Sequence, residues 1–172
     1  MAKDRNILKY KDLVAIEAGD VKPLLRHIYG DNIPLSVYKQ GIKQSLVKEV
    51  VDKLRNSAPV HEFTHEGIKY TCAGFLGGCT VGQFEDLTKI ESYEGYSDHE
   101  RMLQIAATLY LPEGVPYSVA YADHYDRCNM LQDLPASVVY GAANFFGGVW
   151  MALEHSSPTA GTNPSSELTA SL

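Results

Sequence analysis

Apolar side chains recur at helical spacing through most of this chain. Within 35–55 the apolar positions follow one another every four residues: Ile42, Leu46, Val50 and Leu54. Lysines fill opposite positions, so this pattern predicts an amphipathic helix that continues through Gly41. The same reasoning predicts three further helices, over 81–90, 98–111 and 117–133.

Two of these helices begin with a capping box. Thr80 stands three residues before Gln83, and Ser97 stands three residues before Glu100. In this arrangement the hydroxyl accepts a hydrogen bond from a free amide of the first helical turn. The longer side chain accepts a hydrogen bond from the backbone amide of the capping residue in return. The two boxes therefore predict helix starts at residues 81 and 98.

The most apolar stretch, 134–153, contains no charged residue. A helix that is apolar all round is buried in protein or lies in lipid. Its length reaches the roughly 20 residues that a membrane span needs. However, Asn144 at its middle, several glycines and the lack of a basic flank favour burial. We predict a buried C-terminal helix over 135–153, with a membrane-anchored accessory protein as an alternative.

Apolar and polar side chains alternate over 60–72, which is typical of strands. Glu66 and Gly67 divide the stretch and suit a two-residue turn that requires positive φ angles. The pattern predicts a β-hairpin.

The hairpin contains the letters HEFTH at 61–65, which match the HExxH signature of zinc hydrolases. That signature places both histidines on one helix face, so that they bind one zinc while the glutamate activates water. In a strand, His61 and His65 stand about 13 Å apart at about 3.3 Å per residue. We therefore predict no metal, cofactor or catalytic residue, with a zinc-dependent hydrolase using His61, Glu62 and His65 as an alternative.

Composition changes this picture little. The chain has 172 residues, of which 45% are hydrophobic and 21% charged, as expected of one globular domain. A net charge of -6 argues against nucleic acid as a partner. Three cysteines without a CxxC pair indicate neither a disulfide framework nor a structural zinc site. The charged N-terminus lacks a signal-peptide core, so we expect a cytoplasmic protein.

Two weaker candidates for chemistry remain. Cys79 lies at a predicted helix start, where helix amides favour the thiolate, although free cysteine more often serves as a small core residue. Asp123, His124 and Asp126 resemble a metal cluster, but on a helix His124 points away from the two aspartates. We interpret that cluster as a solvated acidic face.

The chain holds eleven tyrosines. Tyrosine and tryptophan offer a large contact area at low entropic cost and are common at protein interfaces. The aromatic residues of the C-terminal half form our predicted interface: Tyr117, Tyr121, Tyr125, Phe145, Phe146 and Trp150.

Four segments together resemble a known family: GIKY at 67–70, TVGQFEDL at 80–87, ATLYLP at 107–112 and LPASVVYGAANFF at 134–146. They are similar to small proteins encoded in structural-gene clusters of tailed bacteriophages, notably those infecting Bacteroidota. The resemblance covers roughly 62–150 and carries no catalytic residue. It implies a virion or morphogenesis protein.

We therefore predict an α+β, mostly helical single domain with one β-hairpin and a buried apolar C-terminal helix. Its expected parts are an N-terminal helical arm over 1–34, a core over 35–155 and a flexible Ser/Thr/Pro-rich tail over 156–172. The expected function is non-enzymatic phage morphogenesis, as a virion structural component or a tail-assembly chaperone. Such a protein would form homo- or hetero-oligomers with other phage structural proteins, in the host cytoplasm or the virion, without nucleic acid or membrane.

Overall fold

A computed structural model describes residues 7–72 and 79–156, with the side chains of all of these except 38–40 and 148–156. The helices are α1 (Tyr10–Glu17), α2 (Lys22–Tyr29), α3 (Leu35–Gln40), α4 (Gln44–Arg55), α5 (Val81–Ser92), α6 (Asp98–Leu109), α7 (Tyr117–Ala120), α8 (His124–Gln132) and α9 (Ala136–Ser156). The strands are β1 (Glu62–His65), β2 (Ile68–Cys72) and β3 (Tyr110–Pro112). The predicted α+β, mostly helical class is confirmed.

The strands form one antiparallel sheet in the order β1-β2-β3. In the predicted hairpin, Glu62 lies opposite Thr71 and the turn is made by Glu66 and Gly67. Their φ angles are 49° and 78°, both positive, as a two-residue turn that follows the strand twist requires. Gly67 therefore provides the positive φ angle that the predicted two-residue turn requires.

The third strand was not predicted. The helix expected over 98–111 ends at Leu109, and Tyr110 turns to an extended conformation and begins β3. Leu111 precedes a proline, whose ring disfavours the helical conformation of the residue before it. The chain therefore leaves the helix early and adds an edge strand to the hairpin.

Two predicted helices are divided. Gly41 has a φ angle of 71° and ends α3, so the helix expected over 35–55 resumes only at Gln44. The helix expected over 117–133 tightens into a single 3₁₀ turn at Tyr121–Asp123 between α7 and α8. Because a 3₁₀ turn has three residues, it changes which side chains share a face.

Both capping boxes are confirmed. Thr80 Oγ1 accepts from the Gln83 amide at 3.2 Å, and Gln83 Oε1 accepts from the Thr80 amide at 2.9 Å. Ser97 and Glu100 make the same reciprocal pair at 3.2 and 2.8 Å. The hydrogen bonds that the Glu100 carboxylate accepts from the Ser97 amide and hydroxyl lower the pKa of Glu100, because they favour the ionised carboxylate. Each box holds a helix start next to the site described below.

The apolar helix α9 packs against α1, α4, α6 and α8, and its described core positions are buried: Ala136, Val138, Val139, Tyr140, Ala142 and Phe146. A Cβ at Gly141 would lie 2.4 Å from the Ala58 carbonyl oxygen, so only glycine lets that segment approach. Asn144 Nδ2 donates to the Ser57 carbonyl at 3.1 Å. Within the described ranges, no helix has both the length and the hydropathy to cross a membrane.

The N-terminal segment, expected as an arm, contributes to the main core. Leu8, Leu13 and Leu24 are buried in the same hydrophobic cluster as α6 and α9. Tyr10 donates its hydroxyl to the His99 carbonyl at 2.7 Å. The first two helices thus pack as part of the domain, whereas the predicted tail beyond Ser156 lies outside the described residues.

Candidate functional site

The HEFTH segment lies in an extended conformation. Residues Glu62–His65 form β1, and the His61 carbonyl continues the ladder by accepting from the Cys72 amide at 2.8 Å. Glu62 Oε2 lies 3.1 Å from Lys69 Nζ, so the carboxylate expected to act as a base is paired with a lysine. The helix on which the zinc signature depends is missing from this segment.

The described residues offer no alternative metal centre, since no group of three or more His, Cys, Asp or Glu side chains among them converges. Asp123 and Asp126 line a cavity of about 320 Å³ with Arg127 and the hairpin tip. His124 lines a different cavity. The structure therefore separates the histidine from the two aspartates, as the sequence predicted.

The described thiols are not activated. Burial raises the pKa of Cys79, which opposes the thiolate that a helix start was expected to favour. Burial also raises the pKa of Cys128 to about 11, and its Sγ lies 3.7 Å from His124 Nε2. Because burial lowers the pKa of His124, this pair is held as a neutral thiol and a neutral imidazole.

One cavity at the surface of the described chain is lined by four tyrosines. It has a volume of about 360 Å³. We call it the tyrosine cleft and define it by six of its lining residues: Asp86, Tyr93, Tyr96, Tyr117, Tyr121 and His124. Helix α5 supplies Asp86, the connection after α5 supplies two tyrosines, and the region from α7 to the start of α8 supplies the others.

The tyrosine rings meet in two nearly perpendicular pairs. The centroids of Tyr93 and Tyr96 lie 4.7 Å apart with planes at 68°. Those of Tyr117 and Tyr121 lie 6.1 Å apart with planes at 73°. Edge-to-face contacts of this kind are favourable because the positive ring edge meets the negative ring face. Each pair therefore forms a corner of the cleft and not a flat wall.

A carboxylate lies beside one of these corners. The Tyr117 hydroxyl donates to Asp86 Oδ2 at 2.6 Å. Burial, followed by this hydrogen bond, raises the pKa of Tyr117, so the phenol keeps its proton and remains the donor. The other oxygen, Asp86 Oδ1, lies 3.5 Å from Lys89 Nζ, whose side chain is largely exposed.

The far side of the cleft is a neutral histidine. Nε2 of His124 lies 2.6 Å from Gln104 Oε1, an acceptor, so Nε2 carries the proton. Burial and the nearby charge of Arg127 lower the pKa of His124. Tyr121 stacks on the imidazole, with ring centroids 6.2 Å apart and planes at 28°.

Residues outside the rings determine where Tyr93 lies. A Cβ at Gly95 would fall 2.5 Å from ring atoms of Tyr93, so glycine makes room for that ring. Arg101 Nη2 donates to the Tyr93 carbonyl at 3.0 Å. Sequence reasoning missed Tyr93 and Tyr96, although the aromatic-glycine-aromatic signal YEGY at 93–96 could have found them.

The predicted interface residues differ in accessibility. Tyr121 and Tyr125 are 57% and 75% exposed, while Tyr117 is nearly buried as a wall of the cleft. Phe146 is 2% exposed and belongs to the hydrophobic core, and Phe145 is partly buried against that core. In this conformation, the assignment of these two residues to an interface does not fit their burial. The side chain of Trp150 lies outside the described residues.

The cleft continues past Tyr117 into an adjoining recess of about 550 Å³. The recess shares Asp86, Tyr117 and Tyr121 with the cleft and reaches Pro116 and Gly82. The two cavities together offer an extended surface with an aromatic centre.

Compared with protein-family models, curated proteins and solved structures, the chain matches none. The resemblance to phage proteins consequently stays a prediction.

Proposed function

We propose that this chain is a non-enzymatic protein of bacteriophage morphogenesis that acts by binding other phage structural proteins. It would serve as a virion component or as a tail-assembly chaperone. The observation that carries the binding role is the tyrosine cleft, where Tyr93 and Tyr121 each leave more than half of their surface in solvent. The phage context comes from the sequence resemblance.

Exposed tyrosines around a cavity favour an interface over a plain surface. Single exposed apolar residues are normal, but contiguous exposed aromatic surface marks contact sites. A tyrosine can bury about 150–250 Å² in a contact.

The geometry elsewhere gives hydrolytic chemistry little support. HEFTH is a strand, its glutamate is paired with Lys69, and burial raises the pKa of the described thiols. These observations weigh against the zinc hydrolase and against a cysteine nucleophile. The net charge of -6 favours a partner with positive groups and disfavours nucleic acid.

The proposal is tested in the phage that encodes the chain. Mass spectrometry of purified particles, together with pull-down from cells during assembly, should find the chain in particles or in complex with a phage structural protein. Tyr93→Ala combined with Tyr121→Ala should reduce that association about tenfold or more, since interface tyrosines often contribute above about 1 kcal/mol each. Leu35→Ala removes an exposed apolar residue outside the cleft and should change nothing.

The chain's absence both from particles and from any complex with a phage structural protein would contradict the proposal. Metal analysis addresses the zinc alternative separately. One tightly bound zinc per purified chain, lost in His61→Ala or His65→Ala, would replace assembly with hydrolysis as the better account.

A further inference from the structure

The walls of the tyrosine cleft have the chemistry that attracts an organic cation. The face of an aromatic ring is negative, and a cation within about 6 Å of the ring centroid is drawn to it. Four tyrosines line this one cavity, in two edge-to-face pairs. Aromatic boxes of this kind suit quaternary ammonium and guanidinium groups, which are charged but more weakly hydrated than the primary ammonium of lysine.

A carboxylate completes the box. Asp86 is the one acidic residue among the described residues that line the cleft. Tyr117 occupies its Oδ2, which leaves Oδ1 for a cation. His124 adds no opposing charge, because burial keeps its imidazole neutral. The cleft thus combines four tyrosine rings, one carboxylate, one neutral imidazole and the amine of Lys89.

The chain itself already places a cation there. Lys89 Nζ lies 3.5 Å from Asp86 Oδ1, three residues along the same helix. Its side chain is 75% exposed, and surface pairs of this kind contribute little to stability. Lys89 therefore marks the position of a cation while remaining easy to displace.

We infer that the tyrosine cleft binds an arginine side chain presented by the partner protein. The choice of a protein-borne cation rests on the proposed function; the preference for a cation rests on the cleft alone. A volume of about 360 Å³ accommodates the end of such a side chain. The adjoining recess along Tyr117 and Pro116 has room for the residues next to it.

The first experiment compares two probes of equal shape. Choline carries a quaternary ammonium, and 3,3-dimethyl-1-butanol replaces its nitrogen by carbon. The whole chain is titrated with each probe, and binding is monitored by NMR of the tyrosine ring signals. Choline should bind about tenfold tighter than the alcohol. Equal affinity for both, or binding of neither, would overturn the inference.

Variants of the cleft sharpen this test. Asp86→Asn removes the charge yet keeps an oxygen that accepts from Tyr117, and it should weaken choline binding several-fold. Lys89→Gln removes the competing cation and should tighten choline binding. Tyr121→Leu should weaken it, whereas Tyr121→Phe keeps the ring and should leave it almost unchanged. An unchanged affinity in both Asp86→Asn and Tyr121→Leu would contradict the inference, provided that thermal unfolding shows both variants folded.

A second arm identifies the source of the cation. A peptide with one central arginine between glycines should bind at least as tightly as choline, and its glutamine counterpart should bind about tenfold more weakly. Choline binding without arginine-peptide binding would overturn the protein-borne source. If the chain is present in particles but neither cation binds, this inference fails while the proposed function stands. If cations bind but no phage protein associates, the proposed function fails.

Discussion

Two groups of tyrosines in this chain differ in what surrounds them. In the core, Tyr10 and Tyr110 are fully buried, and their hydroxyls donate to main-chain carbonyls of His99 and Val60 at 2.7 and 2.6 Å. In the cleft, Tyr93 and Tyr121 leave 57% of their surface exposed. Core tyrosines join distant segments because a buried hydroxyl must find a partner. The exposed rings of the cleft remain available for binding.

Truncation should separate the two groups most strongly. Tyr110→Ala removes a buried ring and leaves the Val60 carbonyl without its donor, so we expect the free energy of unfolding to fall by about 3–5 kcal/mol. Tyr121→Ala should change it by no more than about 0.5 kcal/mol. Urea denaturation measures both. Comparable losses in the two variants would show that the cleft is part of the core.

Glycines offer a second comparison, within one helix. Gly141→Ala places a methyl group against the Ala58 carbonyl oxygen and should destabilise the chain by about 1–3 kcal/mol. Gly147→Ala meets no atom of the described residues within 4 Å, and better helix propensity should stabilise it by up to about 1 kcal/mol. In thermal unfolding, the melting temperature should fall for Gly141→Ala and rise for Gly147→Ala. A rise in both melting temperatures would mean that segment 57–59 does not pack tightly on α9.

The smallest expected effect concerns the cleft histidine. Burial, then Arg127, lowers the pKa of His124 below its ordinary 6.5. The unfolded chain therefore binds more protons than the folded chain as pH falls below about 6.5. The contribution of His124 to the free energy of unfolding is therefore fully present above about pH 6.5. It is lost as the pH falls from about 6.5 to the lowered pKa of the folded chain.

His124→Gln tests this effect, because glutamine cannot be protonated in that range. The unfolding free energy of the natural chain should decline more steeply between neutral and mildly acidic pH than that of the variant. Identical slopes would mean that folding does not lower the pKa of His124.

Local features of the fold followed from the sequence. The hairpin turn at Glu66 and Gly67 and both capping boxes depend on residues within a few positions of each other, so the pattern alone predicts them. Strand β3 could not be predicted, because three residues give no periodic signal and its partner strand lies about forty residues earlier. Glycine often ends a helix, so Gly41 indicated a possible break in the sequence. Whether a glycine does end a helix depends on packing.

The site was predicted only in part. Tyr121 and Tyr125 were expected at an interface and are exposed, whereas Phe146 of the same predicted set is buried. Spacing cannot distinguish these cases, because exposure depends on which helices pack together. Tyr93 and Tyr96 lie in a connection without periodicity, and only the tertiary fold brings them to Asp86 and Tyr117.

The central claim is that the cleft is where another phage protein binds. The most direct measurement replaces Tyr121 by the photo-cross-linking amino acid p-benzoylphenylalanine in cells that are assembling the phage, with the same replacement of the exposed Leu35 as the control. After irradiation, mass spectrometry should identify a phage structural protein joined to position 121 and none joined to position 35. Cross-links from position 35 alone, or from neither position, would contradict the account.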